Sequence, residues 1–293
     1  MATFQRLSWL PAPKRGLRIL CATTMSYPTF PAELLDHIVG NLHDEKDDLK
    51  NCCLTSKSWI PRTRQYLFAT VELCTAKNLQ SWKSTFQDPS TSPARHTETL
   101  IVGYYCLASI ENADSSWLAT FSRVVRVELD VGGGGLNYMS TVSLLPFHGF
   151  SPLLKSLRIN SISFPSSKVF DLIHTFPLLE DLAVTAIARH PIEDQEPIAV
   201  KSYSPAFTGT LDLHLMVGRD TTAVRLLSLS GGLNFRSMRL RWGDPNNISL
   251  IRALVKKCSP TLESLEIRSR LIGMSIRRLC VRTADSCLQT IRC

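Results

Sequence analysis

From Phe30 the chain reads FPAELLDHIVGNL, in which Leu34, Leu35, Ile38, Val39 and Leu42 recur at the spacing of one helical face. Pro31 suits the first turn, where a missing N–H is no loss, and Glu33 and Asp36 lie near the positive end of the helix dipole. Gly40-Asn41 and the polar run from His43 to Asp48 end this helix. Asp47 or Asp48 can cap a second one carrying Leu49, Cys52, Cys53 and Ser56, and Pro61 either stops it or opens a third through Tyr66, Leu67 and Phe68. Three helices this short bury little by themselves, so their apolar stripe needs a cover. The cover is either a partner or the rest of the chain.

A second rhythm follows. LxxLxL recurs loosely as FATVEL (68–73), TETLIV (97–102), VVRVEL (124–129), LKSLRI (154–159), LEDLAV (179–184), TGTLDL (208–213), FRSMRL (235–240) and LESLEI (262–267). Its centres are Val71, Leu100, Val127, Leu157, Leu182, Leu211, Met238 and Leu265, which by subtraction stand 29, 27, 30, 25, 29, 27 and 27 residues apart. That is in or near the period of leucine-rich repeats. SSKVFDLIHTFP and NISLIRALVKKCSP supply helices between strands: Ser166 or Ser167 and Asn247 as caps, apolar faces at Val169, Phe170, Leu172 and Ile173 and at Ile248, Ile251, Leu254 and Val255, then a proline. Each such unit buries its apolar face only against a neighbour, which predicts a stacked helix–strand solenoid, with an ordinary α/β sheet as the alternative. The residue after each centre then projects outward. This row, Ile101, Glu128, Arg158, Ala183, Asp212, Arg239 and Glu266, has mixed signs that suit a protein surface better than a polyanion. Arg158, Asp212, Arg239 and Glu266 are the candidate substrate-binding residues.

Charge changes the picture only after it is divided along the chain. The net +8 comes from Arg6, Lys14, Arg15 and Arg18 before residue 26, and from six arginines against Asp285 after residue 267. Residues 26–267 hold the remaining 23 basic and 24 acidic groups, a net of −1, which argues against nucleic acid as partner. No run approaches the roughly 18 apolar residues of a membrane helix, so no membrane role is expected. Nine cysteines without CxxC spacing suggest reduced thiols and a cytoplasmic or nuclear location. Residues 1–27 are expected to be a disordered basic extension, the alternative being a transit peptide, which Pro11 and Pro13 disfavour. Residues 270–293 read as a basic, poorly packed tail without a capping repeat, because Leu265 to Leu279 is only 14 residues.

Candidate chemistry is sparse. Gly132–Gly135 lacks the Lys-Ser/Thr of a phosphate loop and is followed by Leu136-Asn137-Tyr138. The seven histidines form no HExxH or other zinc pattern, and neither GxSxG nor a cysteine nucleophile signature occurs. No metal, no cofactor and no enzyme are expected.

The stretch FPAELLDHIVGNLHDEKDDLKNCCLTSKSWIPRTRQYLF resembles an F-box: Phe30-Pro31, Glu33-Leu34-Leu35, Ile38, Leu42, Asp48-Leu49, Ser56-Lys57-Ser58-Trp59 and Leu67-Phe68 stand at its fixed positions. It departs in Phe30, where leucine is usual, and in Thr55 before the Ser-x-x-Trp. The resemblance implies that Pro31, Leu34, Leu35, Ile38 and Leu49 dock on the Skp adaptor of cullin–RING ubiquitin ligases. It also implies that Leu42, Cys53, Trp59, Leu67 and Phe68 hold the module together. The chain is then similar to the large fungal families that join this module to degenerate repeats. The expected fold is α/β: a three-helix F-box over residues 28–75, then an irregular leucine-rich-repeat-like solenoid over 76–269. The expected function is recruitment of a protein substrate to Skp and, through it, cullin; the alternative is a Skp-binding or stand-alone repeat scaffold with no ligase role.

Overall fold

The structure, a computed structural model, describes residues 31–110, 116–130, 147, 150–160, 166–185, 205, 207–215, 221–229, 232–242, 247–269 and 279–280. The segment 1–27, the Gly132–Gly135 run and most of 270–293 lie outside them.

The chain begins with three helices, α1 (Ala32–Asn41), α2 (Lys46–Thr55) and α3 (Ile60–Leu67). Pro31 occupies the cap position of α1, and its carbonyl accepts from the N–H groups of Leu34 and Leu35. α2 starts at Lys46 with Glu45 before it, so neither Asp47 nor Asp48 caps it. Both sit in its first turn instead, where the helix dipole favours them, and Lys50 donates to Asp47 at 2.6 Å, holding that carboxyl below its usual range. Pro61 opens α3.

α3 packs against both α1 and α2, and the Arg62 guanidinium bonds the Asp36 carboxylate across the first of these contacts. The buried centre of the three is Leu35, Val39, Leu49 and Thr63. The Thr63 hydroxyl donates to the Trp59 carbonyl at 2.9 Å, so the Cys53 thiol, 2.7 Å away, donates to Thr63. The expected core differs: Leu42, Cys53, Trp59, Leu67 and Phe68 are each only half-buried.

The remaining described elements form one sheet and the helices that cover one face of it. Its strands are β1 (Thr70–Leu73), β2 (Thr99–Gly103), β3 (Arg126–Asp130), β4 (Ser156–Asn160), β5 (Asp181–Thr185), β6 (Thr210–Leu215), β7 (Ser237–Trp242), β8 (Ser264–Ser269) and β9 (Leu279–Cys280). Spatial order equals sequence order, and β1 to β8 are all parallel. This is an α/β architecture built from consecutive parallel strands. The eight centres read from sequence are paired one to the next, Val71 with Leu100 and on through Val127, Leu157, Leu182, Leu211 and Met238 to Leu265.

The same backbone device recurs at the foot of the strands. The carbonyl of Ala69 accepts from the N–H groups of both Glu98 and Thr99, that of Glu98 from Val125 and Arg126, and that of Val125 from Lys155 and Ser156. Lys155, Gly209 and Arg236 repeat the pattern. β2, β3, β4, β5, β7 and β8 are thereby registered on their predecessors by main-chain atoms, independent of side-chain identity, whereas β6 has one such bond, from Gly209 N–H to the Glu180 carbonyl, and a second from Thr210 N–H to the Asp181 carboxylate.

Helices α4 (Ala76–Thr85), α5 (Tyr104–Ile110), α6 (Ser166–Ile173), α7 (Thr221–Ser228) and α8 (Ile248–Cys258) occupy the connections, α4 packing on α5 and α7 on both α6 and α8. Thr75 caps α4 by accepting from the Asn78 N–H at 3.1 Å. Lys257 donates to the carbonyls of Leu227 and Leu229, placing a cation at the negative end of α7. Leu79, Leu107, Val169, Ile173, Leu226, Leu254 and Val255 join the inward strand residues in one continuous core. Each such burial contributes about 1.5–3 kcal/mol.

Two glycines are required by close approach. A Cβ on Gly103 would lie 2.6 Å from the Cys74 carbonyl oxygen, and one on Gly209 would collide with the Asp181 carboxylate, which accepts from the Thr210 N–H at 2.6 Å. Phe207 holds a positive φ of 45°, compensated by complete burial against Phe235 with ring centroids 5.0 Å apart.

At the far edge β9 pairs antiparallel with β8, Leu265 opposite Leu279. Within the tail expected to be poorly packed, Leu279 and Cys280 therefore pair along the last edge of the sheet. β1 also corrects a boundary: it lies inside the stretch 28–75 assigned to the helical module, yet it is hydrogen-bonded to β2.

Candidate functional site

Two surfaces carry the residues singled out from sequence. On α1, neighbouring residues are about 100° apart, so Leu34 and Leu35 cannot both face inward. Leu35 turns in and packs with its i+4 partner Val39, while Leu34 is left 49% exposed, with Pro31 exposed and Ile38 half-buried. Leu49, on α2, is fully buried. The expected docking set therefore divides: Pro31, Leu34 and Ile38 are reachable from outside, whereas Leu35 and Leu49 are corrected to interior positions. Leu54, 70% exposed on α2, is a large apolar side chain that the sequence reading left out.

Phe68 belongs to a different contact altogether. Its ring lies edge-on to Trp82 and Phe86 at 6.2 and 6.0 Å, and Trp82 stacks on buried Phe121 at 5.5 Å. The end of α3 is thus joined to the core beneath the sheet through aromatic rings. Lys83 sits 5.4 Å from the centroid of Trp117, which meets Phe121 edge-on.

The second surface is the sheet face away from the helices. Register brings Glu72, Ile101, Glu128, Arg158, Ala183, Asp212, Arg239 and Glu266 into one row across eight strands. Arg158 and Arg239 are exposed, whereas Asp212 and Glu266 are half-buried. Two residues further along each strand runs a parallel row of Gly103, Asp130, Asn160, Thr185, His214, Arg241 and Arg268, which the reading of one residue per repeat omitted. Adding two to each position, the strand period, was the signal that would have found it.

The charges in these rows are arranged against one another. Arg268 grips the Glu266 carboxylate with Nε at 2.7 Å and Nη2 at 2.5 Å, and Arg239 approaches it at 3.6 Å. Arg241 lies 4.0 Å from Asp212, and Arg158 lies 4.0 Å from Glu128, whose carboxylate also accepts from the Asn160 amide at 3.1 Å. Of the four candidate residues, Asp212 and Glu266 are held by arginines of this face, which leaves Arg158 and Arg239 as the more accessible members. Exposed pairs of this kind contribute about 0–1 kcal/mol each to stability, so their arrangement bears on what the face can meet rather than on the fold.

Nucleophile chemistry finds no support in the thiols that the core contains. Burial pushes Cys106 up to about 12 and Cys258 up to about 11, far from the thiolate a nucleophile needs. Among the described residues no group of three or more His, Cys, Asp or Glu side chains is placed to hold a metal ion. No described helix is long and apolar enough to cross a membrane. The chain matches no family model, no curated protein and no solved structure.

Proposed function

We propose that the chain is an F-box adaptor: α1–α3 dock on the Skp subunit of a cullin–RING ubiquitin ligase, and the sheet face holds a protein substrate. In this reading the helical module ends at Phe68, and β1 to β8 with their helices are an irregular leucine-rich-repeat-like solenoid. Skp brings cullin, and the chain contributes proximity between substrate and an associated enzyme rather than chemistry of its own.

The observation that carries the reading is Leu34, left 49% exposed beside Pro31 on a short helix whose neighbour Leu35 is buried. A large apolar side chain at that level of exposure gains by burial against a partner, and it stands at an F-box docking position. Pairing of opposite charges on the sheet face supports a protein substrate, since a polyanion would favour unpaired cations there.

The test uses the purified full-length chain and purified Skp. Leu34→Asp should weaken binding by about a hundredfold, the effect expected of a buried anchor residue, with an unchanged far-ultraviolet spectrum. Equal affinity of the wild type and Leu34→Asp, or no binding by the wild type, overturns the docking assignment. Skp bound with no cullin recovered from cell extract favours the scaffold reading instead.

A further inference from the structure

Depth sorts the charges of the sheet face by sign. In each pair the carboxylate lies lower: the side chains of Glu128, Asp212 and Glu266 are 17 to 25% exposed, those of Arg158, Arg239, Arg241 and Arg268 44 to 57%. The acids form a floor, and the guanidinium groups stand above it. Glu266 holds Arg268 by Nε and Nη2 and is approached by Arg239 through Nε, while Arg241 reaches Asp212 through Nη2. A guanidinium carries five N–H donors, so each of these arginines is oriented by one edge and keeps others for a partner.

Position sorts the charges as well. Within the two outward rows the exposed carboxylates are Glu72 on β1 and Asp130 on β3, and the exposed cations are Arg158 on β4, Arg239 and Arg241 on β7, and Arg268 on β8. Register sets Arg239 beside Glu266 and Arg241 beside Arg268, which gathers three guanidinium groups on two adjacent strands. At the opposite end the Cys74 thiol, against Gly103, senses the acids: burial first, then the Glu72 and Asp130 carboxylates, push it up. Arg158, paired with Glu128, marks where the sign changes, and β5 and β6 expose little charge between. The sequence runs the same way, residues 26–220 holding 16 basic and 21 acidic groups and residues 221–293 holding 13 and 4.

We propose that the sheet face holds a bipolar protein segment, with an acidic cluster seated over β7 and β8 and a basic cluster over β1 to β3. This names the class of substrate and rests on the reading of the face as a protein-binding surface; it does not require α1–α3 to dock on Skp. Neighbouring strands lie about 4.8 Å apart, so β3 and β7 are separated by about 19 Å, the span of about six residues of extended chain. Carboxylates of the segment meet the outer N–H groups of Arg239, Arg241 and Arg268, and its cations meet Glu72 and Asp130. A wholly acidic peptide or a nucleic acid crossing the same strands would set like charge against Glu72 and Asp130.

Calorimetric titration of the full-length chain at low ionic strength tests it with four probes: a peptide of three glutamates and three lysines separated by six uncharged residues, the same peptide with the uncharged residues moved to one end, the spaced peptide with its lysines replaced by serine, and a single-stranded RNA. The spaced peptide should bind saturably and about tenfold or more tightly than the other three. Arg241→Glu/Arg268→Glu should weaken it by about tenfold or more. Glu72→Lys/Asp130→Lys should weaken it similarly, yet bind the glutamate–serine peptide at least as well as the wild type does, which a misfolded variant would not do. Skp affinity measured on the same samples separates the two readings: selectivity for the spaced peptide without Skp binding breaks the docking assignment alone, and Skp binding without that selectivity breaks this proposal alone. No saturation with the spaced peptide, equal affinity for both arrangements, or RNA bound more tightly than the spaced peptide overturns the proposal.

Discussion

The helices at the start of the chain and the sheet that follows bury their apolar residues in different ways. In α1–α3 the fully covered side chains are Leu35, Val39, Leu49 and Thr63, and they stand apart from the core under the sheet. The sheet core is continuous from Val71 to Ile267, with each inward row packed on the next. A core of four side chains, one of them polar, has little reserve, whereas a missing methyl group in the sheet is surrounded by neighbours on all sides. The difference teaches where stability resides and where a partner has something to add.

Substitutions can break or sharpen that contrast. Phe121→Ala removes a buried ring that stacks on Trp82 and meets Trp117, and should cost about 3–5 kcal/mol, seen as a fall in the urea midpoint of the whole body. Leu49→Ala should cost about 2–5 kcal/mol, but locally: amides of α1–α3 should lose protection in hydrogen exchange while β3–β7 keep theirs. Simultaneous loss in both regions would show one cooperative unit. Gly103→Ala forces a Cβ against the Cys74 backbone and should lower stability by about 1–3 kcal/mol, read from thermal melting. Trp59→Ala should cost less than the removal of a fully buried tryptophan, about 1–2 kcal/mol, since the ring is half-buried. Reversing Arg158 and Arg239 together should change stability by under about 0.5 kcal/mol yet alter which proteins are recovered by proximity labelling; an identical set would move recognition off this face.

The same contrast governs what the sequence made legible. In the sheet, side chains alternate strictly, so the centres Val71 to Leu265 fixed both the inward face and the strand-to-strand register. The second outward row was equally legible and was lost by sampling one position per repeat. In α1 the pattern is ambiguous in principle: Leu34 with Ile38, and Leu35 with Val39, are both i,i+4 stripes, and only the position of α3 decides which is interior. The bond between Cys53 and Thr63 was invisible for a similar reason, since they stand ten positions apart with a turn between them.

Strand order that follows sequence order also bears on how the chain folds. Each parallel pairing closes a loop of 25 to 30 residues, from Leu157–Leu182 at the short end to Val127–Leu157 at the long end. No pairing among β1 to β8 waits for a distant part of the chain, so the entropy of closure is nearly equal at every step. A sheet of this kind can nucleate at any adjacent pair of strands and grow in both directions, and the repeated carbonyl at the strand foot gives every newcomer from β2 to β8 except β6 two main-chain hydrogen bonds on arrival. Folding should therefore slow most when a substitution disrupts the first pair formed, and very little when it falls at either end.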